Sequence, residues 1–197
     1  MPAVNEADPR VKRTRKLLQG ALLDLLAEKS FDAITVQDIA ERSTINRATF
    51  YAHYVDKYAL FAGYVHQWFR QALRQNLSDC AGLSRTNLQL VILASMEALA
   101  ELDDHCKPTE TMQPLVMSAV QEELAALLLG WLEHAPTGAA RRNVLLETTA
   151  AGLSWAIFGT ALNWSRMPER SPAEPTAARI ADLLTEGLSS VVGALTT

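Results

Sequence analysis

Residues 35–57 read TVQDIAERSTINRATFYAHYVDK, and the rest of the chain is organised around them. The stretch predicts a short helix, a tight turn and a second short helix. Thr35 is a good N-cap, and Asp38 three residues on can answer it, close to a capping box. Val36, Ile39 and Ala40 give the first helix an inward face. Ser43 and Thr44 break that helix, and Ile45 is an apolar plug for the turn. Asn46 is a second strong N-cap. Phe50 and Tyr54, four residues apart, turn one side of the second helix to the core. Arg47, Ala48, Thr49, Tyr51 and His53 are left on or beside its outer face. Asp56 caps a third helix, with Lys57 at its start.

That outer face has the chemistry of a DNA reader. Arg47, near a helix N-terminus, can reach guanine edges or a phosphate, and Thr49 can meet a thymine methyl or a phosphate. Tyr51 and His53 carry hydrogen-bonding groups on short, stiff stems, and Lys57 adds positive charge near the backbone. Helix N-terminal amides hold phosphates directly. The plain alternative is a helical hairpin with a polar surface.

The stretch extended to Phe61, TVQDIAERSTINRATFYAHYVDKYALF, resembles the DNA-binding signature of the TetR (tetracycline repressor) family. The resemblance rests on Thr35, Ile39-Ala40, Thr49-Phe50-Tyr51, His53-Tyr54, Asp56-Lys57 and Leu60-Phe61, and covers about the first third of the chain. It implies an all-α homodimer of about nine helices. An N-terminal three-helix helix-turn-helix domain would bind DNA, and a C-terminal helical domain would bind a ligand and dimerise. The expected DNA-contacting set is Thr35, Gln37, Asn46, Arg47, Ala48, Thr49, Tyr51, His53, Tyr54 and Lys57. The chain departs from the family at Thr44, where members often carry glycine. A β-branched residue suits positive φ poorly, so a slightly different turn is expected there.

The remaining composition agrees with this class. Hydrophobic residues make up 49% of 197 residues, enough for a sizeable core. The net charge of −4 is wrong for a non-specific nucleic-acid coater. Residues 1–57 hold nine Lys/Arg against eight Asp/Glu, a net of +1, and the rest carry −5. A mildly acidic protein with one basic surface fits a sequence-specific reader. Two cysteines, Cys80 and Cys106, are too few for a secreted disulfide scaffold; idle thiols or a redox pair both fit them. The N-terminus is polar, and the apolar run from Ala150 to Trp164 falls short of the roughly 20 residues of a membrane span. A soluble, cytoplasmic protein with no membrane partner is expected.

Taken in order, residues 1–9 read as a flexible arm, 10–70 as the DNA-binding domain with its motif over about 34–53, and 71–197 as the regulatory and dimerisation domain. RVKRTRK at 10–16 has five basic residues in seven and no acid, and suits phosphate contact or a solvated helix start. Leu17, Leu18, Ala21, Leu22, Leu25 and Leu26 recur at helical spacing. From Lys57 to Leu73 a continuous apolar stripe predicts one helix spanning both domains, able to carry a signal between them. Residues 79–85 read as a loop, 86–102 as a helix, 103–111 as a polar break and 113–134 as a helix with Pro114 in its first turn. Further helices are expected over 139–166 and 176–195, separated by a proline-bearing loop. No strand pattern or repeat appears.

Catalytic and metal chemistry finds little support. His53, His66, His105 and His134 share no metal-ligand spacing with Cys or acids, so no metal is expected. There is no phosphate-binding glycine loop or nucleophile elbow. Asp103-Asp104-His105-Cys106 reads as a loop of solvated charge. No cofactor and no enzymatic activity are expected.

The C-terminal helices suggest the dimer surface. Gly152, Ala156 and Gly159 fall on one face of one helix, and Leu188, Val191 and Val192 on an apolar face of the next. Two such helices from each of two chains make a four-helix bundle; packing within one chain is the alternative. Met112, Met117, Trp131, Trp155, Phe158 and Trp164 are candidates to line a pocket for an unknown effector, apolar because few charges lie nearby. They equally fill cores. The sequence therefore reads as a DNA-binding regulator, a repressor released from a palindromic double-stranded operator by a small, mostly apolar molecule. The alternatives are a TetR-fold regulator controlled by a partner protein or acting as an activator, and, more remotely, an all-α enzyme.

Overall fold

The computed structural model describes residues 8–77, 82–105, 108–134 and 143–195, with side chains described except at 105, 143–144 and 188–195. All regular structure in these residues is helical: α1 (Pro9–Leu26), a single 3-10 turn (Phe31–Ala33), α2 (Val36–Ser43), α3 (Arg47–His53), α4 (Lys57–Asn76), α5 (Arg85–His105), α6 (Gln113–Glu133), α7 (Asn143–Ser165) and α8 (Ala173–Leu195). Eight α-helices and one short turn stand where about nine helices were expected.

Local chemistry sets most of the boundaries. Asp8 caps α1 by accepting from the Arg10 amide at 2.8 Å, and Pro9 sits where a helix needs no amide proton. The helix thus begins inside the expected arm, and residues 1–7 lie outside the described ones. Ser84 starts α5 by accepting from the Asn87 amide at 3.1 Å. Its far end differs from expectation, because α5 runs on through Asp103 and Asp104 instead of breaking. Tertiary partners hold these acids: Ser165 Oγ donates to Asp103 at 2.7 Å, and the Arg170 guanidinium grips Asp104 with two bonds of 2.9 Å. Helix α8 begins at Ala173 rather than Thr176, with Pro175 in its first turn, where the missing amide proton costs nothing.

The chain divides into two compact units. The first takes Met1–Gln67 and Pro108–Ala119; the second takes Trp68–Lys107 and Val120–Thr197. The return of 108–119 to the first unit was not foreseen. The first unit is cored by Leu18, Leu22, Phe31, Ile34, Ile39, Phe50, Leu60 and Phe61. Phe31 anchors it, with ring contacts to Tyr58 at 5.5 Å and Phe61 at 5.3 Å.

In the second unit α5 packs on α7 and α8. Val91, Ile92, Met96, Leu124, Leu128, Ile157 and Ala161 fill it. One polar pair lies inside: Ser154 Oγ donates to Gln121 Oε1 at 2.8 Å, and Gln121 Nε2 donates to the Ser154 carbonyl at 3.3 Å. Each group answers the other, so their burial leaves little unpaired. On its edge Arg70 makes a two-pronged ion pair with Glu123. The helices α6 and α7 are each long and apolar enough to cross a membrane by length and composition alone. Core helices of soluble proteins share that property, and both bury side chains within this unit.

Candidate nucleic-acid interface

The motif is built from its caps upward. Thr35 Oγ1 accepts from the Asp38 amide at 3.1 Å, and Asp38 Oδ2 accepts from the Thr35 amide at 2.8 Å, completing the capping box. Lys29 Nζ donates to the same carboxylate at 2.8 Å. That bond, with those the Thr35 amide and hydroxyl donate to the same oxygen, lowers the Asp38 pKa to about 2. Arg42 near the end of α2 pairs with Glu28 at 2.7 Å. These two ion pairs tie α2 to the segment that follows α1.

The turn keeps the left-handed conformation that glycine would supply. Thr44 sits at φ 57, ψ 27, and among the described residues no other non-glycine has positive φ. Its amide donates to the Glu41 carbonyl at 3.2 Å, and the Ile45 amide donates to the Ala40 carbonyl at 3.0 Å. These two bonds close α2 as a Schellman motif, with Thr44 in the left-handed position. The expectation of an altered turn is therefore corrected: the hydrogen bonds hold the geometry despite the β-branched side chain.

Asn46 Oδ1 accepts from the Ala48 amide at 2.8 Å and opens α3. On α3 only Phe50 is buried. Arg47, Ala48, Thr49 and Tyr51 are exposed, Tyr51 by 46%. These are four of the five residues expected on or beside the outer face; His53 is the fifth. Asn46 and Gln37 are exposed beside it, Gln37 bonded to Glu41. Thr35 is exposed, with its hydroxyl engaged in the cap.

Three members of the expected set turn inward. His53 is half-buried, and its Nδ1 is enclosed with no hydrogen-bond partner. Burial first, and the nearby Arg15 charge second, lower its pKa and favour the neutral ring. Tyr54 caps the end of α3, with Arg15 stacked over its ring at 5.8 Å. Lys57, expected at a phosphate, instead donates to three backbone carbonyls: Phe31 at 2.8 Å, Asp32 at 3.0 Å and Ile34 at 2.8 Å. An ammonium has three donors, and all three are used here. Lys57 thus clasps the 3-10 turn.

Gly63 on α4 escaped the sequence reading. A Cβ there would lie 3.2 Å from Tyr54 Cε1. A glycine inside a helical pattern costs about 1 kcal/mol against alanine, and that cost was the available signal.

The other expected sites separate. Met112 (buried) and Met117 (39% exposed) belong to the first unit, whereas Trp131, Phe158 and Trp164 are buried in the second. Trp155 is 56% exposed, so the six expected pocket residues do not form one buried group. Gly152 and Gly159 are exposed, and a Cβ on either would meet nothing within 4 Å. Ala156 beside them is half-buried. The expected interface residues Leu188, Val191 and Val192, and both cysteines, fall outside the described side chains. Among the described residues no group of three His, Cys, Asp or Glu could hold a metal ion.

Two capped helices joined by a tight left-handed turn, with one polar face outward, define a helix-turn-helix motif. Residues 18–64 match the family described as bacterial regulatory proteins, tetR family. Over 53 residues the chain is 55% identical to the uncharacterized HTH-type transcriptional regulator YxbF of Bacillus subtilis (strain 168). That match covers 26% of this chain and 14% of YxbF. YdeS of the same organism is 46% identical over 52 residues, 26% of each chain. The chain therefore spans well under half the length of these curated relatives. The TetR-family regulator SCO0857 of Streptomyces coelicolor A3 shares the fold with a TM-score of 0.60 at 17% identity, over 91% of this chain and 97% of that one. FadR of Thermus thermophilus, a TetR-family repressor solved with lauroyl-CoA, gives 0.56 at 22% identity, over 88% and 94%. Residues 18–64 thus carry a DNA-binding domain of the tetR type, and the chain has the fold of the solved TetR-family regulators.

Proposed function

We propose that the protein is a cytoplasmic repressor that binds a palindromic DNA operator as a homodimer and leaves it when a small, mostly apolar molecule binds the second unit. The observation that carries this reading is the exposed face of α3, where Arg47, Ala48, Thr49 and Tyr51 are presented by two capped helices. Arg47 and Thr49 read base edges, and Tyr51 contacts the backbone. In a two-fold dimer two such helices enter successive major grooves about 34 Å apart. Trp155, Gly152 and Gly159 are exposed on α7, and Leu183 (64% exposed) on α8, and we assign these two helices to the contact with a second copy. For release, the effector must bind the DNA-incompetent state better than the competent one. The lauroyl-CoA of the Thermus thermophilus regulator joins an apolar acyl chain to a charged coenzyme A, so only its acyl part is of the class proposed here.

The test is selection of duplexes from a random pool, followed by titration of the selected duplex and a random one at several salt concentrations. Arg47→Ala and Thr49→Ala should each relax sequence preference by roughly 1–3 kcal/mol, whereas Tyr51→Ala should weaken both duplexes and lower the salt slope. Enrichment of no sequence would overturn the reading.

A further inference from the structure

We infer that Gly63 is a positioning residue for DNA reading: its bare backbone is the seat on which Tyr54 sets the angle of α3. The inference rests on the assignment of α3 to DNA. Gly63 lies in the interior of α4, where alanine is the better helix former. Its neighbours make the substitution costly all the same. A Cβ on residue 63 would meet Tyr54 Cε1 at 3.2 Å, Oη at 3.7 Å and Cζ at 3.9 Å. The first distance is tighter than ordinary contact, so the ring must shift.

The ring is poorly placed to yield. It is stiff, and it hangs from the residue that caps α3, at φ −142 and ψ 138. Its backbone amide still donates to the Phe50 carbonyl at 2.9 Å. Phe50 stands one turn back, 6.2 Å away between ring centres and fully buried. Arg15 of α1 covers the Tyr54 ring at 5.8 Å. Displacing the ring therefore displaces the end of α3 against α1 and α4. Arg47 and Thr49 are carried on the same two turns of helix, so a small tilt moves them off their base edges. Tyr54 itself need not touch DNA to matter, and its half-buried ring supports this division of labour.

Helix propensity gives the experiment a sign that a merely structural glycine would not produce. Gly20 on α1 is an exposed helix-interior glycine, and a Cβ added to it would meet nothing within 4 Å. Gly20→Ala should raise Tm and leave DNA affinity unchanged. Gly63→Ala should lower affinity for the selected duplex about tenfold, the loss of roughly one base contact. Binding to random duplex at low salt should persist, since phosphate contacts supply it. In a Tyr54→Ala background the atom that residue 63 would strike is gone, so adding Gly63→Ala should change affinity no further. That cycle keeps the test valid should Gly63→Ala alone fold poorly. Wild-type affinity in Gly63→Ala, or an equal loss in both backgrounds, overturns the inference while leaving α3 as the reader. Retained selectivity in Arg47→Ala overturns the reading of α3 and the inference with it.

Discussion

Lys57 Nζ lies 2.8 Å from the Phe31 carbonyl oxygen and 4.9 Å from the centre of the Phe31 ring. One cation thus closes the 3-10 turn and stacks on the aromatic that anchors the first unit. Lys57→Ala should destabilise the fold by about 2–3 kcal/mol, because it strips three carbonyls of a charged donor. Urea denaturation measures this. A stability equal to wild type, with a salt slope for DNA reduced by about one, would restore Lys57 to the phosphates.

Thr44 holds a left-handed backbone that L side chains adopt at a cost of about 1–2 kcal/mol. Its hydroxyl also donates to the Ser43 carbonyl at 2.7 Å, which offsets part of that cost. Thr44→Gly should raise stability by about 1 kcal/mol with DNA binding intact. Thr44→Val, which keeps the branch and loses the hydroxyl, should lower it. Thermal denaturation of both variants checks the pair; a destabilised glycine variant would show that the turn is unstrained.

Asp38 carries the acid sensitivity of the motif. Its folded pKa, about 2, lies below the ordinary value of 3.8. A group so depressed contributes stability above its unfolded pKa, and loses it as pH falls through the folded one. The contribution of Asp38 is therefore complete above pH 3.8 and gone below about 2. Asp38→Asn should flatten the acid limb of the stability curve in that window. An unchanged limb would assign the acid sensitivity to other carboxylates.

Trp155 and Gly159 stand one turn apart on an exposed face of α7. Gly159→Arg should yield monomers, since it brings charge and bulk to the proposed interface. Analytical ultracentrifugation reads this directly, and Trp155 emission should shift to the red as the ring meets water. A dimer that survives the arginine would move the interface elsewhere.

The sequence disclosed most where the physics is local. Thr35, Asn46 and Asp56 were legible as caps because a cap and its amide lie two or three residues apart, and all three make those bonds. Helical periodicity about Phe50 pointed to Arg47, Ala48, Thr49, Tyr51 and His53 as outward, and the first four are exposed while His53 is half-buried. Lys57 was not legible, because its partners lie 23 to 26 residues back in the chain. Nor was the end of α5: Asp103 and Asp104 look like loop residues until Ser165 and Arg170 are brought to them. Trp155 shows a further limit. Its place on an apolar helix is the same to composition whether it faces a core or a second copy.

The assignment of Pro108–Ala119 to the first unit bears on how the protein can be cut. That segment brings buried Met112, Val116 and Ala119, and Thr111 bonds to Asp32 at 3.4 Å. A fragment stopped at Gln67 would hold the whole recognition motif and still lack this portion of its own hydrophobic interior. The polypeptide passes between the units three times, so neither can be released by a single proteolytic nick. Limited digestion should therefore give fragments that stay associated, and the reading head cannot be transplanted as one unbroken run of sequence.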